Sequence, residues 1–201
     1  GDEACTALTT GDLNTGLGYS AMGAINTGLS NTVIGALAGD ALTDADFNVV
    51  VGRTALTADT KGSRTVAIGF DALQAQNFTT ATDTYNVAVG ASAGQSALTT
   101  DTLGSRAVAV GEGALATQNF TTATNNYNVG VGYSAGGAIT TGTQNTILGG
   151  RAMDAATTGA ANVALGYQAL TGDVKGQNNV AVGHNALATQ NFDTATNSYN
   201  V

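Results

Sequence analysis

Tryptophan and proline are absent from the 201 residues, cysteine and histidine occur once each, and charged residues make up only 10 % of the chain. Each shortage closes a class of function. A lone Cys5 allows neither a disulfide framework nor a thiolate metal site within one chain, and leaves a free thiol or a cross-chain disulfide. A lone His184 leaves no Ser-His-Asp set and no His/Cys cluster for a metal. Six basic residues, scattered among 14 acidic ones, form no cluster that would attract nucleic acid, and the net charge of −8 reads as solubility. With aromatics at 5 %, an ordinary globular core is short of large side chains. Yet 43 % hydrophobic residues at low charge do not describe a solvated disordered tract. No apolar run reaches membrane-spanning length, so no membrane insertion is expected. There is no leader-like segment, to which no weight is given in a chain read as part of an array.

What is abundant is glycine, and it is periodic. Ten glycines, Gly18, Gly35, Gly52, Gly69, Gly90, Gly111, Gly132, Gly149, Gly166 and Gly183, follow one another at steps of 17, 17, 17, 21, 21, 21, 17, 17 and 17. A period near 20 residues is the signature of a solenoid. Asn200-Val201 matches the opening of an eleventh unit. Residues 1–13 therefore read as a lead-in or partial coil, and residues 14–201 as a continuous array that stops within a repeat.

Take each marker glycine as position 0. Position −1 is always aliphatic (Leu17, Ile34, Val51, Ile68 and their equivalents), and position −3 is always Val or Thr. Two-residue spacing with β-branched enrichment predicts a strand with these two positions on the core face. Position +3 is Ala in all ten units, a place where nothing larger fits. Position −4 is Asn14, Asn31, Asn48, Asn86, Asn128, Asn145, Asn162 and Asn179, with Thr65 and Ala107 as exceptions. Asparagines stacked on successive coils predict a hydrogen-bonded structural ladder.

Position −7 is Gly28, Gly62, Gly104, Gly142, Gly159 or Gly176, with Asp83, Asn125 and Asn197 standing in elsewhere and Ala45 as the misfit. That exchange predicts a left-handed corner. A 17-residue coil at roughly 3.3 Å per residue has a perimeter of about 56 Å, and ten coils stacked at about 4.8 Å give a rod of roughly 48 Å.

The longer units carry near copies of one stretch, Gln76–Thr82, Gln118–Thr124 and Gln190–Thr196. These lead to Tyr85, Tyr127 and Tyr199. Their Phe and Tyr either plug a wider coil or form an exposed recognition edge. Position −2 is Gly16, Val33, Val50, Ala67, Ala88, Ala109, Gly130, Ile147, Ala164 or Ala181, with no polar member. A strand apolar on both faces is buried on both. Neighbouring chains are therefore expected to pack on the −2 face, with a cyclic homotrimer as the closed solution. Further repeats or capping domains of the same chain would cover the open ends.

The units Asn179-Val-Ala-Val-Gly-His-Asn-Ala-Leu187, Asn162-Val-Ala-Leu-Gly-Tyr-Gln-Ala-Leu170 and Asn86-Val-Ala-Val-Gly-Ala-Ser-Ala-Gly94 resemble repeats of bacteriophage tail-fibre proteins and the heads of trimeric autotransporter adhesins. The resemblance covers nearly all of the chain from Asn14 onward. It implies an all-β, left-handed parallel β-roll or β-helix, three chains per rod, and a role in attachment outside the cell. The setting would be a virion tail fibre or a cell-surface appendage. Adhesin-head repeats are shorter by two or three residues, and the alternation of 17 and 21 fits phage-type fibres better. Neither family carries over a catalytic residue, and no cofactor is expected.

Three other classes fit the repeat less well. Left-handed β-helix acyltransferases need their aliphatic-Gly-x-x-Ala hexapeptide about three times per coil, whereas here it occurs once. Right-handed tailspike depolymerases are less regular and carry acidic pairs in a groove. An ice-binding solenoid would want unbroken Thr rows, and the Thr-Ala-Thr triplets lie only in the long stretches. Asp40, Asp44 and Asp46 form an acidic loop that reads as solvated, with calcium binding as the alternative. Asn77 and Asn119 open Asn-Phe-Thr sequons. The expectation is a non-enzymatic adhesive fibre segment making multivalent weak contacts with a surface glycan or protein. Outward residues Tyr19, Arg53, Tyr133, Tyr167 and His184, with Phe78, Phe120 and Phe192 in the long stretches, are the candidate contacts.

Overall fold

A computed structural model describes residues 1–95, 104–120 and 124–201. Thr121, Thr122 and Ala123 of the second long stretch lie outside the described residues. The chain is an all-β parallel solenoid of about ten turns, with no helix among the described residues. Ten three-residue strands, from Thr15–Leu17 to Val180–Val182, form one sheet in strict chain order. The register follows the sequence repeat, as in Thr15↔Thr32, Gly16↔Val33 and Leu17↔Ile34. Three two-residue pairings join long coils to the coil before: Gly62–Ser63 with Thr82–Asp83, Gly104–Ser105 with Thr124–Asn125, and Gly176–Gln177 with Thr196–Asn197. Gly1 also stacks on Gly18 as one marker does on the next, and the Cys5 amide bonds the Ala21 carbonyl at 3.0 Å.

The marker glycine has two reasons to be glycine. Its φ lies between +124° and +144°, where L side chains are strained, and a Cβ on Gly35 would meet the Gly52 carbonyl oxygen at 2.5 Å. Past the marker, positions +2 and +4 are left-handed even where they are Leu, Thr or Met, as in Leu37 (φ 58°), Thr54 (57°) and Met22 (51°). Their amides point in opposite directions along the stack. Leu37 N–H donates back to Tyr19 at 2.8 Å, and Leu56 N–H donates forward to Ala72 at 3.0 Å. Each left-handed residue costs about 1–2 kcal/mol, offset by an inter-coil bond that alternation alone permits.

Position −7 is not the left-handed corner that its Gly/Asn/Asp exchange suggested. None of Gly28, Gly62, Gly142, Gly159 or Gly176 has positive φ, and that conformation falls two residues later, at Phe47, Arg64, Tyr85 and their equivalents. Glycine is needed at −7 for closeness. A Cβ on Gly28 would lie 2.3 Å from the Ala45 carbonyl oxygen, and one on Gly142 would lie 2.2 Å from that of Gly159.

The core also inverts the expected faces. Position −2 points inward, with Val33, Val50, Ala67, Ala88, Ile147 and Ala164 fully buried, while −1 and −3 face outward. Inside, the −2 column packs against Ala at +3, against Met22, Leu56, Leu115, Met153 and Leu170 at +4, and against Ile25, Leu42 and Ile139 at +7. Sizes compensate between columns. A Cβ on Gly136 would lie 2.7 Å from Ile147 Cδ1, and one on Gly16 would lie 2.6 Å from Cys5 Sγ. Burying a side chain the size of Ile147 is worth about 1.5–3 kcal/mol. The coil is too thin for large residues in every column, which is why Ala recurs at +3.

The asparagine column lies in this interior. Asn31 Oδ1 accepts the Asn48 backbone N–H at 2.9 Å, and Asn31 Nδ2 reaches across its own turn to the Ala45 carbonyl at 2.7 Å. The pattern recurs at Asn128, Asn145 and Asn162, and amide contacts of 3.2 Å also link the side chains from Asn128 to Asn179. Each of these asparagines closes one turn and docks the next, while Asn86 and Asn179 turn their Nδ2 to Gln76 and Asp173 instead.

Candidate functional site

The outward face of the ten-stranded sheet is a chemically distinctive surface that runs along all ten coils. Its two central columns, −3 and −1, are β-branched or aliphatic throughout and stay open to solvent, with Leu17 59 %, Leu148 47 % and Val182 63 % exposed. Strand alternation puts them there, because the residue between them fills the thin core.

Two flanking columns frame this strip. At +1 stand Tyr19, Arg53, Tyr133, Tyr167 and His184, all exposed and spread along the length of the rod, together with Phe70 and Glu112. The rings of Tyr167 and His184 stack at 5.6 Å, and the Arg53 guanidinium lies 5.7 Å from the Phe70 ring. Glu3, hydrogen-bonded to Tyr19 and negatively charged, holds that phenol above its ordinary pKa.

The opposite flank, at −5, is one that sequence reasoning passed over apart from the tyrosines. Arg64 sits between the Phe47 ring at 4.8 Å and the Tyr85 ring at 5.9 Å, and Arg106 covers Tyr85 at 5.0 Å. Arg64 also pairs with Asp83 at 3.0 Å, and that hydrogen bond and charge raise its pKa. The signal was in the sequence: position −5 is Leu13, Phe47, Arg64, Tyr85, Arg106 or Tyr127 in six of the ten units, large or charged each time.

The phenylalanines of the long stretches do not join this surface. Phe78 and Phe120 are only 2 % and 4 % exposed and fill the widened coils, and Phe192 is half-buried. Four extra residues enlarge the turn, and a ring occupies the space made. The tyrosines that follow, Tyr85, Tyr127 and Tyr199, point outward.

Inside, two carboxylates replace aliphatics of the +7 column where a long coil follows a short one. Asp59 and Asp173 are buried. Burial outweighs the hydrogen bonds from Gln76, Phe78, Gly62 and Lys61 and raises the Asp59 pKa. Neither carboxylate reaches solvent or a nucleophile, so the arrangement serves structure. In the acidic loop, Asp46 accepts the Leu29 N–H at 2.7 Å and Asp44 faces Lys61 at 3.7 Å. Desolvation raises the Asp40 pKa. No group of three or more His, Cys, Asp or Glu able to hold a metal occurs among the described residues. Cys5 Sγ turns toward the core, where burial raises the thiol pKa.

No protein-family profile matches the chain, and neither a curated protein nor a solved structure shows significant similarity to it.

Proposed function

We propose that this chain is a structural and adhesive segment of a homotrimeric extracellular fibre, of the phage tail-fibre kind, that mediates attachment to a cell surface. A microbial surface adhesin of the trimeric autotransporter type is the nearest alternative. The observation that carries the reading is the outward sheet face. Its −3 and −1 columns run along ten coils, roughly 45 Å, as a strip of aliphatic and β-branched residues framed by exposed aromatic and charged side chains. An apolar centre with an aromatic and polar rim is the anatomy of a protein–protein interface.

Three copies with these faces toward a common axis would cover the −3 and −1 columns and leave the long-coil side outward. The left-handed winding and the threefold symmetry follow from the resemblance of the repeats and belong to the proposal. So does the absence of catalysis. A rigid rod presenting the same contacts three times gains avidity without a deep pocket, and a surface glycan or protein is the expected receptor. Of the candidate contacts, the +1 column would flank the interface, which moves receptor contact toward residues on the other sides of the coil.

The test is the native mass by light scattering during gel filtration, followed by a glycan-binding screen. A mass of three chains supports the fibre. A monomer overturns it and favours the ice-binding reading, in which regular outward β-branched columns face water.

A further inference from the structure

Resting on the proposed attachment to a surface glycan, we infer that the three consecutive long coils carry a binding site for an acidic sugar, whose carboxylate meets Arg106 and whose ring enters the polar groove beside it.

The groove holds about 270 Å³ between Thr80, Thr82, Asp83, Ser105 and Asn125, with the buried Phe78 ring in its wall. None of these residues belongs to the ten-stranded sheet, so the groove lies off the outward face that assembly would cover. Thr80 and Thr82 come from the first long coil, Ser105 from the second and Asn125 from the third. The groove is therefore built where long coils follow one another. Its volume is close to the lower end for small-molecule sites, about 300 Å³, and suits a single sugar residue. Hydroxyls and a carboxamide both donate and accept, as sugar hydroxyls do, and the Asp83 carboxylate accepts. Ser105 Oγ donates to Asn125 Oδ1 at 2.8 Å, which holds that carboxamide in place with its oxygen engaged.

Beside the groove, position −5 alternates over five successive coils as Phe47, Arg64, Tyr85, Arg106 and Tyr127. In the other five units it is Leu13, Ser30, Gln144, Ala161 or Asn178, with neither ring nor charge. The two arginines differ in what neutralises them. Asp83 pairs with Arg64 at 3.0 Å, and the Asp46 charge acts on the same guanidinium. Arg106 directly follows Ser105 of the groove wall, is exposed, and makes no ion pair among the described residues. Its guanidinium lies 5.0 Å from the Tyr85 ring. Stacking on a ring uses the face of a guanidinium and leaves its edge donors, whose fork geometry fits a carboxylate.

A neutral sugar would use the groove and leave Arg106 idle. A phosphate chain would need unpaired cations repeated along its length, and this column offers one. A sugar that carries one carboxylate beside its hydroxyls uses both parts. Arg53 stacks on Phe70 in the same manner but lies on the opposite flank, away from the groove, which makes it the control.

The experiment titrates the whole chain with sialyllactose and tri-galacturonate as acidic probes, and with lactose and galactotriose as their neutral counterparts, read by saturation-transfer NMR. At least one acidic probe should bind, and its neutral counterpart should bind about tenfold more weakly or not at all. Arg106→Gln should lower the acidic probe's affinity about tenfold, Asn125→Ala should weaken it too, and Arg53→Gln should leave it unchanged, with circular dichroism checking that each variant is folded. Binding of neither acidic probe, equal binding of acidic and neutral sugars, or binding that survives Arg106→Gln overturns the site. Native mass on the same samples separates this from the fibre reading. A three-chain mass without sugar binding keeps the fibre and overturns the site, and a monomer that binds through Arg106 keeps the site and overturns the fibre.

Discussion

Gln76 Nε2 donates a 2.6 Å hydrogen bond to Oδ2 of the buried Asp59 carboxylate, across the junction between a 17-residue coil and the 21-residue coil that follows. Asp59 Oδ1 takes the Gly62 and Phe78 amides at 3.0 and 2.9 Å. At the other such junction, Asp173 accepts Gln190 Nε2 at 2.6 Å and the Gly176 and Phe192 amides at 2.9 and 3.0 Å. Two junctions built alike, an Asp accepting from a Gln side chain and from a Gly and a Phe amide, mark a device for docking a wide turn on a narrow one. Glycine at −7 is part of it, since a Cβ on Gly62 would lie 2.2 Å from Asp59 Oδ2.

Removing that acceptor strands its donors. Asp59→Ala leaves two backbone amides without partners in a dry interior and the Gln76 amide with only Thr65 Oγ1 at 3.4 Å, and should cost about 2–4 kcal/mol. Urea denaturation of the variant beside the parent measures it. A loss under 1 kcal/mol would mean that water replaces the carboxylate and the junction is not the device described.

The same carboxylate makes stability depend on pH in a direction unusual for an acid. Burial raises its folded pKa above the unfolded value, so the protonated form is the one that folding favours. The contribution is fully present below the unfolded pKa of about 3.9 and is lost as pH rises through the folded one. Asp59→Asn keeps an acceptor for the two amides and never ionises; turning Gln76 to accept from the new amide takes its oxygen from Asn86 Nδ2, a cost that does not vary with pH. Melting temperatures of parent and Asp59→Asn should therefore diverge in favour of the variant as pH rises from 4 to 8. Parallel curves would contradict the burial argument.

Two glycines separate effects that usually come together. At the marker Gly69, with φ +138°, an added Cβ would lie 2.4 Å from the Gly90 carbonyl oxygen; at Gly113, with φ +65°, it would meet Ser134 Oγ at an ordinary 3.5 Å. Gly113→Ala should show backbone strain alone, about 1–2 kcal/mol, and Gly69→Ala should exceed it by several kcal/mol or fail to fold. Equal costs in equilibrium unfolding would place the whole requirement in φ.

The coil, its period, the tight alanine column and the stacked asparagine ladder were legible because each rests on a repeated contact that only one residue type satisfies. Three features were not. Inside and outside of the strand were exchanged, because Val33 and Ile34 are both apolar and alternation gives no sign when neither column is polar. Thin coils decide the matter by volume, which puts Ala67 and Ala88 inside and Ile68 and Val89 outside. The left-handed residues were missed because nothing in Leu37, Arg64 or Tyr85 favours positive φ, and inter-coil hydrogen bonding imposes it. Glycine at −7 was assigned to φ when close approach of the next coil was the cause. For the candidate contacts, sequence variety at +1 correctly suggested exposure. The repetition of Phe78 and Phe120 carried no sign of direction, and a widened coil with a ring inside it was the outcome.

Ile147 and Leu148 are adjacent, similar in size, and on opposite faces, with Ile147 fully buried and Leu148 half-exposed. The same substitution at each should therefore fail in different ways. Ile147→Asp places a carboxylate among Leu115, Ile139 and the alanine column with no partner, a cost of several kcal/mol that should abolish the folded circular-dichroism signal. Leu148→Asp puts its charge in water if the chain is alone, at a cost within about 0.5 kcal/mol, so secondary structure and the monomer's core should survive. If the face is covered by other copies, the same charge is buried at their seam, and the native mass should fall to that of one chain while the spectrum is unchanged. A folded Leu148→Asp protein that keeps the parent's oligomeric mass would show that copies meet elsewhere on the coil. A parent and variant that are both monomeric would leave the aliphatic strip facing water and remove the fibre reading at its root.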